Sequence, residues 1–133
     1  MSMRVLTVKA PWGHLIASGQ KTIEVRSWST DYRGPVAFIQ GLGVNRHAMQ
    51  AHGLGLDRMC RGSAVAVRNL VDVRPICQLD SSAACFSVEP NSEDFAWLLE
   101  GGAAIDPFHW PGSLGLIKAK PDFMRRLRER QAA

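Results

Sequence analysis

The sequence predicts a small α+β domain: a mixed or antiparallel β-barrel of five or six short strands with two or three peripheral helices. Three observations carry this expectation. The length of 133 residues fits one domain, because independent domains run to about 100–150 residues and shorter chains struggle to bury a core. Apolar residues make up 46% and charged residues 21%, enough for a packed interior and too balanced for wholesale disorder. Short β-favouring runs recur without regular strand–helix alternation, which favours a closed or partly closed barrel over a doubly wound parallel sheet.

The first of these runs, Val5, Leu6, Thr7 and Val8, lies in a strand expected over 4–9 and stops before Pro11. Pro11 suits a first helical position, Trp12, Leu15 and Ile16 follow the i, i+3, i+4 pattern, and Gly19 ends the helix. Residues 21–28 alternate as a strand, with Ile23 and Val25 on one face and Thr22, Glu24, Arg26 and Trp28 on the other. Asp31, Arg33, Gly34 and Pro35 supply turn chemistry before a strand over 36–40, expected to pair antiparallel with 21–28.

Residues 41–61 are polar and glycine-punctuated, with a weak helical pattern through Val44, Met49 and Met59, and resist placement. Residues 64–73 form the most convincing strand, with β-favouring material in Val65, Val67, Leu70 and Val71 and no proline, and the strand is expected to cross the core. Ser, Asp and Pro dominate 78–93, which reads as a surface loop. Strands are expected over 95–100 and 114–118, separated by Gly101-Gly102 and by a turn region over 107–112. A helix over 121–131 turns Phe123, Met124 and Leu127 toward the body. The organisation is thus one domain over 1–120 and a basic C-terminal helix over 121–133, packed on it or extending from it.

The net charge of +4 hides an uneven distribution. Residues 1–61 hold 8 Lys/Arg against 3 Asp/Glu, residues 62–119 hold 3 against 7, and the last fourteen hold 5 against 2. A basic first half is the footprint expected of a phosphate-bearing partner, although such charges also serve simply to solvate a surface. Cys60, Cys77 and Cys85 are odd in number and match neither a disulfide framework nor a zinc site, so three reduced structural thiols are expected. His47 and His52 stand five apart and do not share a helix face as an i, i+4 pair would. No metal, no cofactor and no membrane partner is expected. The longest apolar runs, such as 95–99, fall far short of the roughly 20 residues of a membrane span, and the N-terminus leaves no room for a secretory signal, which places the chain in the cytoplasm.

The informative block is Pro11-Trp12, then Gly19-x-Lys21-x-x-Glu24-x-Arg26, then Ser27-Trp28, closed by Tyr32-Arg33-Gly34. In that order it resembles the ASCH domain, named for homology to the transcriptional activating signal cointegrator. Residues 62–72, 95–100 and 111–117 look like the family's later strands, whereas 41–61 and 78–93 match nothing in it. The resemblance implies a PUA-like barrel, a superfamily associated with RNA recognition, with a cleft between the barrel and the first helix.

On chemistry, Lys21 and Arg26 suit phosphate oxygens, Arg26 through its bidentate fork. The indoles of Trp12 and Trp28 can stack on a base, worth about 1–3 kcal/mol, and Glu24 can accept from an exocyclic amine or shuttle a proton. Lys9, Ser27, Tyr32 and Arg33 complete the expected ligand-binding set. Plainer readings stand beside these: Lys21, Glu24 and Arg26 as a structural ion pair, Trp12 as core packing, and Tyr32 and Arg33 as solvated turn residues. Strict alternation puts Lys21 on the face opposite Glu24, so a turn or bulge near Gly19 must reorient it if the two converge. His109 and Trp110 can close the mouth of a cleft or form a rigid turn, and the arginines at 125, 126, 128 and 130 complement a helix C-terminus or add phosphate contacts.

Two functions follow. The first is binding of RNA or a nucleotide-like ligand in a basic cleft at the junction of first helix and second strand. The second, carried by the resemblance, is a hydrolase acting on a nucleoside amide of the N4-acetylcytidine type, or a metal-independent ribonuclease, with Lys21 and Glu24 as catalytic residues. The small amidohydrolase members look to have threonine where this chain has Glu24 and lack the Pro-Trp helix. They also use a later carboxylate, for which Glu89, Glu93 and Glu100 are the candidates. A domain gripping an acidic peptide is a third possibility.

Overall fold

The run centred on Val5–Val8 becomes the inner strand β1 (Arg4–Ala10) of a six-stranded mixed sheet in a computed structural model that describes residues 2–131. Met1, Ala132 and Ala133, and with them the outer ends of the expected 1–120 and 121–133 units, lie outside the described residues. Along the chain follow α1 (Trp12–Ser18), β2 (Ile23–Arg26), β3 (Gly34–Val44), α2 (Arg46–Ala51), β4 (Ser63–Pro75), α3 (Ser81–Ala84), β5 (Phe95–His109), β6 (Leu116–Lys118) and α4 (Pro121–Gln131). The sheet order is β2-β5-β4-β3-β1-β6.

The α+β class is as expected, but the barrel is not closed. The two end strands, β2 and β6, do not pair with each other. They are four and three residues long, against eleven to fifteen for β3, β4 and β5, so the edges offer too little backbone to join. The expected antiparallel pairing of β2 with β3 is also replaced. β2 pairs with β5, while β3 runs parallel to β1 and antiparallel to β4. A parallel neighbour needs a long crossover, and the stretch between β1 and β3, carrying α1 and β2, provides it.

β5 does not break at Gly101-Gly102 as expected. It continues to His109, and the two glycines, at φ +63° and +72°, accommodate register shifts against β4. Four α-helices form among the described residues, more than expected, because α2 and α3 arise in the two segments that carried no clear periodicity.

Alternation along β1 sorts the core into two layers. Leu6 and Val8 pack with Ile16 of α1, Phe38, Leu70 and Trp97 on one face, whereas Val5 packs with Ile39, Phe108, Phe123 and Leu127 on the other. The apolar side of α4, Phe123 and Leu127, is fully buried there, so α4 packs on the sheet. Its arginines face outward in part: Arg126 lies over the Phe108 ring at 4.8 Å and donates to the His109 carbonyl, and Arg130 pairs with Asp106 at 3.0 Å.

Two contacts seat α1. Gly13 lets the helix approach β3 closely, since a Cβ there would lie 2.7 Å from Cβ of Gln40, and the Gln40 side chain accepts from the His14 amide at 2.9 Å. At the other end, Arg68 of β4 donates to the carbonyls of Ile16 and Ala17 at 3.1 Å, satisfying helix-end acceptors that have no intrahelical partner.

The segment before α3 is tied to β4 by a bidentate pair, Arg74 to Asp80, at 2.8 Å for both bonds. Asp80 also accepts from the Cys77 amide at 2.9 Å. The Arg74 hydrogen bonds hold the Asp80 carboxyl at about 2, down from 3.8. A depressed carboxylate stabilises the fold above its unfolded value and loses that contribution as pH falls from 3.8 toward 2. Arg74 is 39% exposed, so screening limits the contribution to about 1–2 kcal/mol. Urea unfolding of Asp80→Asn will therefore show a smaller stability loss between pH 4 and pH 2 than the unsubstituted chain, with the two curves converging at the acid end.

Candidate functional site

Lys21 reaches its position because it precedes β2 rather than belonging to it. Gly19 ends α1 at φ +85°, the Lys21 amide folds back to the Leu15 carbonyl at 3.0 Å, and the Thr22 amide donates to the Ala83 carbonyl at 2.9 Å. The alternation that would oppose Lys21 to Glu24 therefore applies only from Ile23 onward, and the two side chains converge. Lys21 is 2% exposed and Glu24 4%.

The Lys21 ammonium donates to the Ala84 carbonyl at 2.5 Å, stands 4.0 Å from Oε1 of Glu24, and lies over the rings of Trp12 and Phe86 at 4.5 and 5.4 Å. Burial lowers its pKa from the usual 10.5, with the Glu24 carboxylate opposing that shift. Glu24 is shared, for its Oε2 accepts from Nε of Arg26 at 2.9 Å. A second arm of Arg26 donates to the Thr7 carbonyl at 2.8 Å. These bonds fix the carboxylate between two cations.

Lys21 and Glu24 open onto a cavity of about 880 Å³ whose walls include Trp12 of α1, His47 and His52 of the α2 region, and Ser81 to Glu89 around α3. Its lining carries one lysine against three carboxylates, Glu24, Glu89 and Asp94, so the cavity is acidic where the sequence suggested a basic cleft. Arg26 is not among the lining residues, its guanidinium being taken up by Glu24 and Thr7. Cys85 lines the cavity in a left-handed conformation, φ +65°. Burial pushes its thiol up, which keeps it protonated and poorly nucleophilic at neutral pH. Its carbonyl bonds the His52 ring at 2.8 Å, linking the α2 and α3 walls. Cys60, Cys77 and Cys85 are all free, as reduced thiols are, with Cys60 and Cys77 exposed. Among the described residues no cluster of His, Cys, Asp or Glu is arranged to hold a metal.

The remaining sequence-chosen residues lie elsewhere. Trp28 packs edge-on against Trp97 at 4.8 Å and, with Tyr32, lines a separate hollow beside Arg4. Lys9, His109 and Trp110 line a third. Ser27 is exposed and lines none of these. Arg33 donates to the carbonyls of Thr30 and Tyr32 and pairs with Asp72 at 3.7 Å. Of the later carboxylates, Glu89 lines the Lys21 cavity, and Glu93 and Glu100 do not. Sequence reasoning did not bring Phe86, Asn45, His47 and His52 to this site, because α2 and α3 are too short, at six and four residues, to leave a helical period, and it missed Asp94, which directly precedes β5.

An open mixed sheet covered by α1 on one face and α4 on the other is the fold of the ASCH family, which is PUA-like and associated with RNA binding. The ASCH domain family matches residues 6–102, and the chain belongs to that family. Among solved structures it is similar to the ASCH protein of Zymomonas mobilis, at 14% identity and a TM-score of 0.62, with 96% of this chain and 94% of that one covered. A tyrosine-to-phenylalanine variant of the Zymomonas mobilis protein matches at 14% identity and 0.64, over 97% and 98% of the two chains. A serine-to-alanine variant matches at 12% and 0.62, over 96% and 94%. Comparison with curated proteins finds no match.

Proposed function

We propose that the Lys21 cavity binds the base of an RNA or of a nucleotide-like ligand. The observation that carries this reading is the aromatic pair at its wall: the rings of Trp12 and Phe86 lie 5.9 Å apart, Phe86 is 38% exposed, and both border a cavity large enough for a nucleoside. Aromatic walls stack on bases of any sequence, and the carboxylates of Glu89 and Asp94 are acceptors for exocyclic amines. Arg26 orients Glu24 in this reading instead of contacting phosphate. With a single lysine in the lining, affinity falls only gently with salt. Three free cysteines fit a reducing cytoplasm, and no helix among the described residues is long and apolar enough to cross a membrane.

Tryptophan fluorescence titrated with a short single-stranded oligoribonucleotide tests the reading. Phe86→Ala will weaken binding by about tenfold, equivalent to about 1.4 kcal/mol of lost stacking, with little change in Tm. Equal affinity in the variant, or no binding by the unsubstituted chain, rejects it.

One observation favours a second reading, hydrolysis of a nucleoside amide or of RNA. The lowered pKa of Lys21 beside Glu24 leaves a larger share of free amine at neutral pH than an exposed lysine has. That amine would take a proton from water as the oxygen attacks the acyl carbon or phosphorus, and the ammonium would return it to the leaving group, with Glu24 holding the charge in place. Lys21→Arg keeps the charge and removes the base, so product formation from N4-acetylcytidine or RNA would vanish. Ligand binding without product eliminates this second reading.

A further inference from the structure

A second hollow of about 650 Å³ lies where the start of β1, β6 and the 28–32 loop meet, and it shares no lining residue with the Lys21 cavity. Arg4 and Lys118 both line it, and they are directly paired residues of β1 and β6. Side chains of such partners stand about 5 Å apart on one face, where like charges destabilise the pairing. Among the described residues neither takes part in an ion pair. Nη1 of Arg4 is moreover buried without an acceptor. A guanidinium N–H shielded from water and left unpaired is unfavourable, so a small turn of the side chain that brings it to an oxyanion in the hollow relieves it.

The surroundings hold this arrangement in place. The Arg4 guanidinium lies over the Tyr32 ring at 4.9 Å, and the Tyr32 hydroxyl is fixed by donating to the Pro35 carbonyl at 2.7 Å. The Thr30 hydroxyl oxygen, also in the lining, accepts from the Tyr32 amide at 3.1 Å, which leaves its own proton to donate. Asp31 is the one carboxylate of the hollow and is exposed. We infer that this hollow is an oxyanion site for the phosphate group of a phosphate ester, taken by the fork of Arg4 with Lys118 as the second cation. Two cations and a hydroxyl match a group bearing up to two charges on several oxygens better than they match a lone carboxylate.

Backbone-amide NMR titrations with inorganic phosphate, a nucleoside 5′-monophosphate and an oligoribonucleotide lacking terminal phosphates test the site. The expected result is saturable shifts at Arg4, at residues 30–32 and at Lys118 with at least one ester. Saturation by the monophosphate identifies a terminal phosphate as the ligand, and saturation by the oligomer identifies internal diesters. Lys118→Gln, at an exposed position where the fold is not at stake, and Arg4→Gln will each weaken binding at least fivefold. Asp31→Asn will tighten it about threefold, and Arg58→Gln, a distant exposed guanidinium, will leave it unchanged. Saturation by inorganic phosphate alone, no saturable shift at these residues, or unchanged affinity in Lys118→Gln overturns the inference. None of these outcomes bears on the Lys21 cavity, which Phe86→Ala probes separately.

Discussion

Glutamine in place of Glu24 will lower the unfolding free energy at pH 7 by about 3–5 kcal/mol, the range seen when one partner of a buried ion pair is removed. The side chains of Lys21 and Glu24 are 1% and 6% exposed, so water cannot replace the lost carboxylate. Arg26 loses its 2.9 Å bond in the same step. The pH dependence identifies Lys21 as the source of the loss. Its folded value already lies below 10.5 because of burial, and without Glu24 it falls further. Between the folded value and 10.5 the folded chain binds fewer protons than the unfolded chain, so stability rises with pH across that window. The deficit of Glu24→Gln will narrow between pH 7 and pH 10 in urea titrations. A deficit below about 1 kcal/mol, as for an exposed pair, would show that the pair is not desolvated.

Alanine at Gly102 will cost about 4 kcal/mol, from a left-handed backbone together with overpacking against main-chain atoms that cannot move aside. Its Cβ would overlap the carbonyl oxygen of Val67 and lie 3.0 Å from Cα of Arg68. The neighbouring Gly101 provides the control. It also has positive φ, at +63°, but its nearest contact is the Asn69 side chain at 3.4 Å, so Gly101→Ala will cost only about 1 kcal/mol of backbone strain. Equal losses in the two variants would mean that close approach plays no part. Gly102→Ala should further weaken ligand binding, because displacement of Arg68 releases the end of α1.

How much of this was legible in the sequence depended on whether a segment carries its own periodicity. Pro121–Gln131 and the helix ended by Gly19 have clear apolar faces and form close to where they were read, although Pro11 caps the first helix from outside and Trp12 begins it. The central strand was visible in its β-branched residues. Pairing was not, since nothing local distinguishes a β2 that meets β3 from one that crosses to β5. The Gly101-Gly102 pair read as a break because the same positive φ serves a turn and a bulge, and only the partner strand decides between them. Of the site, Lys21, Glu24 and Trp12 were recognisable, while its second wall, from Ser81 to Glu89, came from a stretch whose four-residue helix is held by Arg74 and Asp80 rather than by pattern. The alternation argument failed for Lys21 because it assumed a strand that starts two residues earlier than the one that forms.

Lys21 is moored to that wall through a main-chain oxygen, the carbonyl of Ala84. An anchor of this kind is blind to which side chain position 84 carries, provided the peptide plane keeps its direction. Related chains can therefore rewrite the chemistry of the 81–89 stretch, and with it the choice of guest, while the ammonium stays tethered where it is. An insertion or deletion of one residue there would swing that plane away and cast the lysine loose without touching any residue of the motif that names the family.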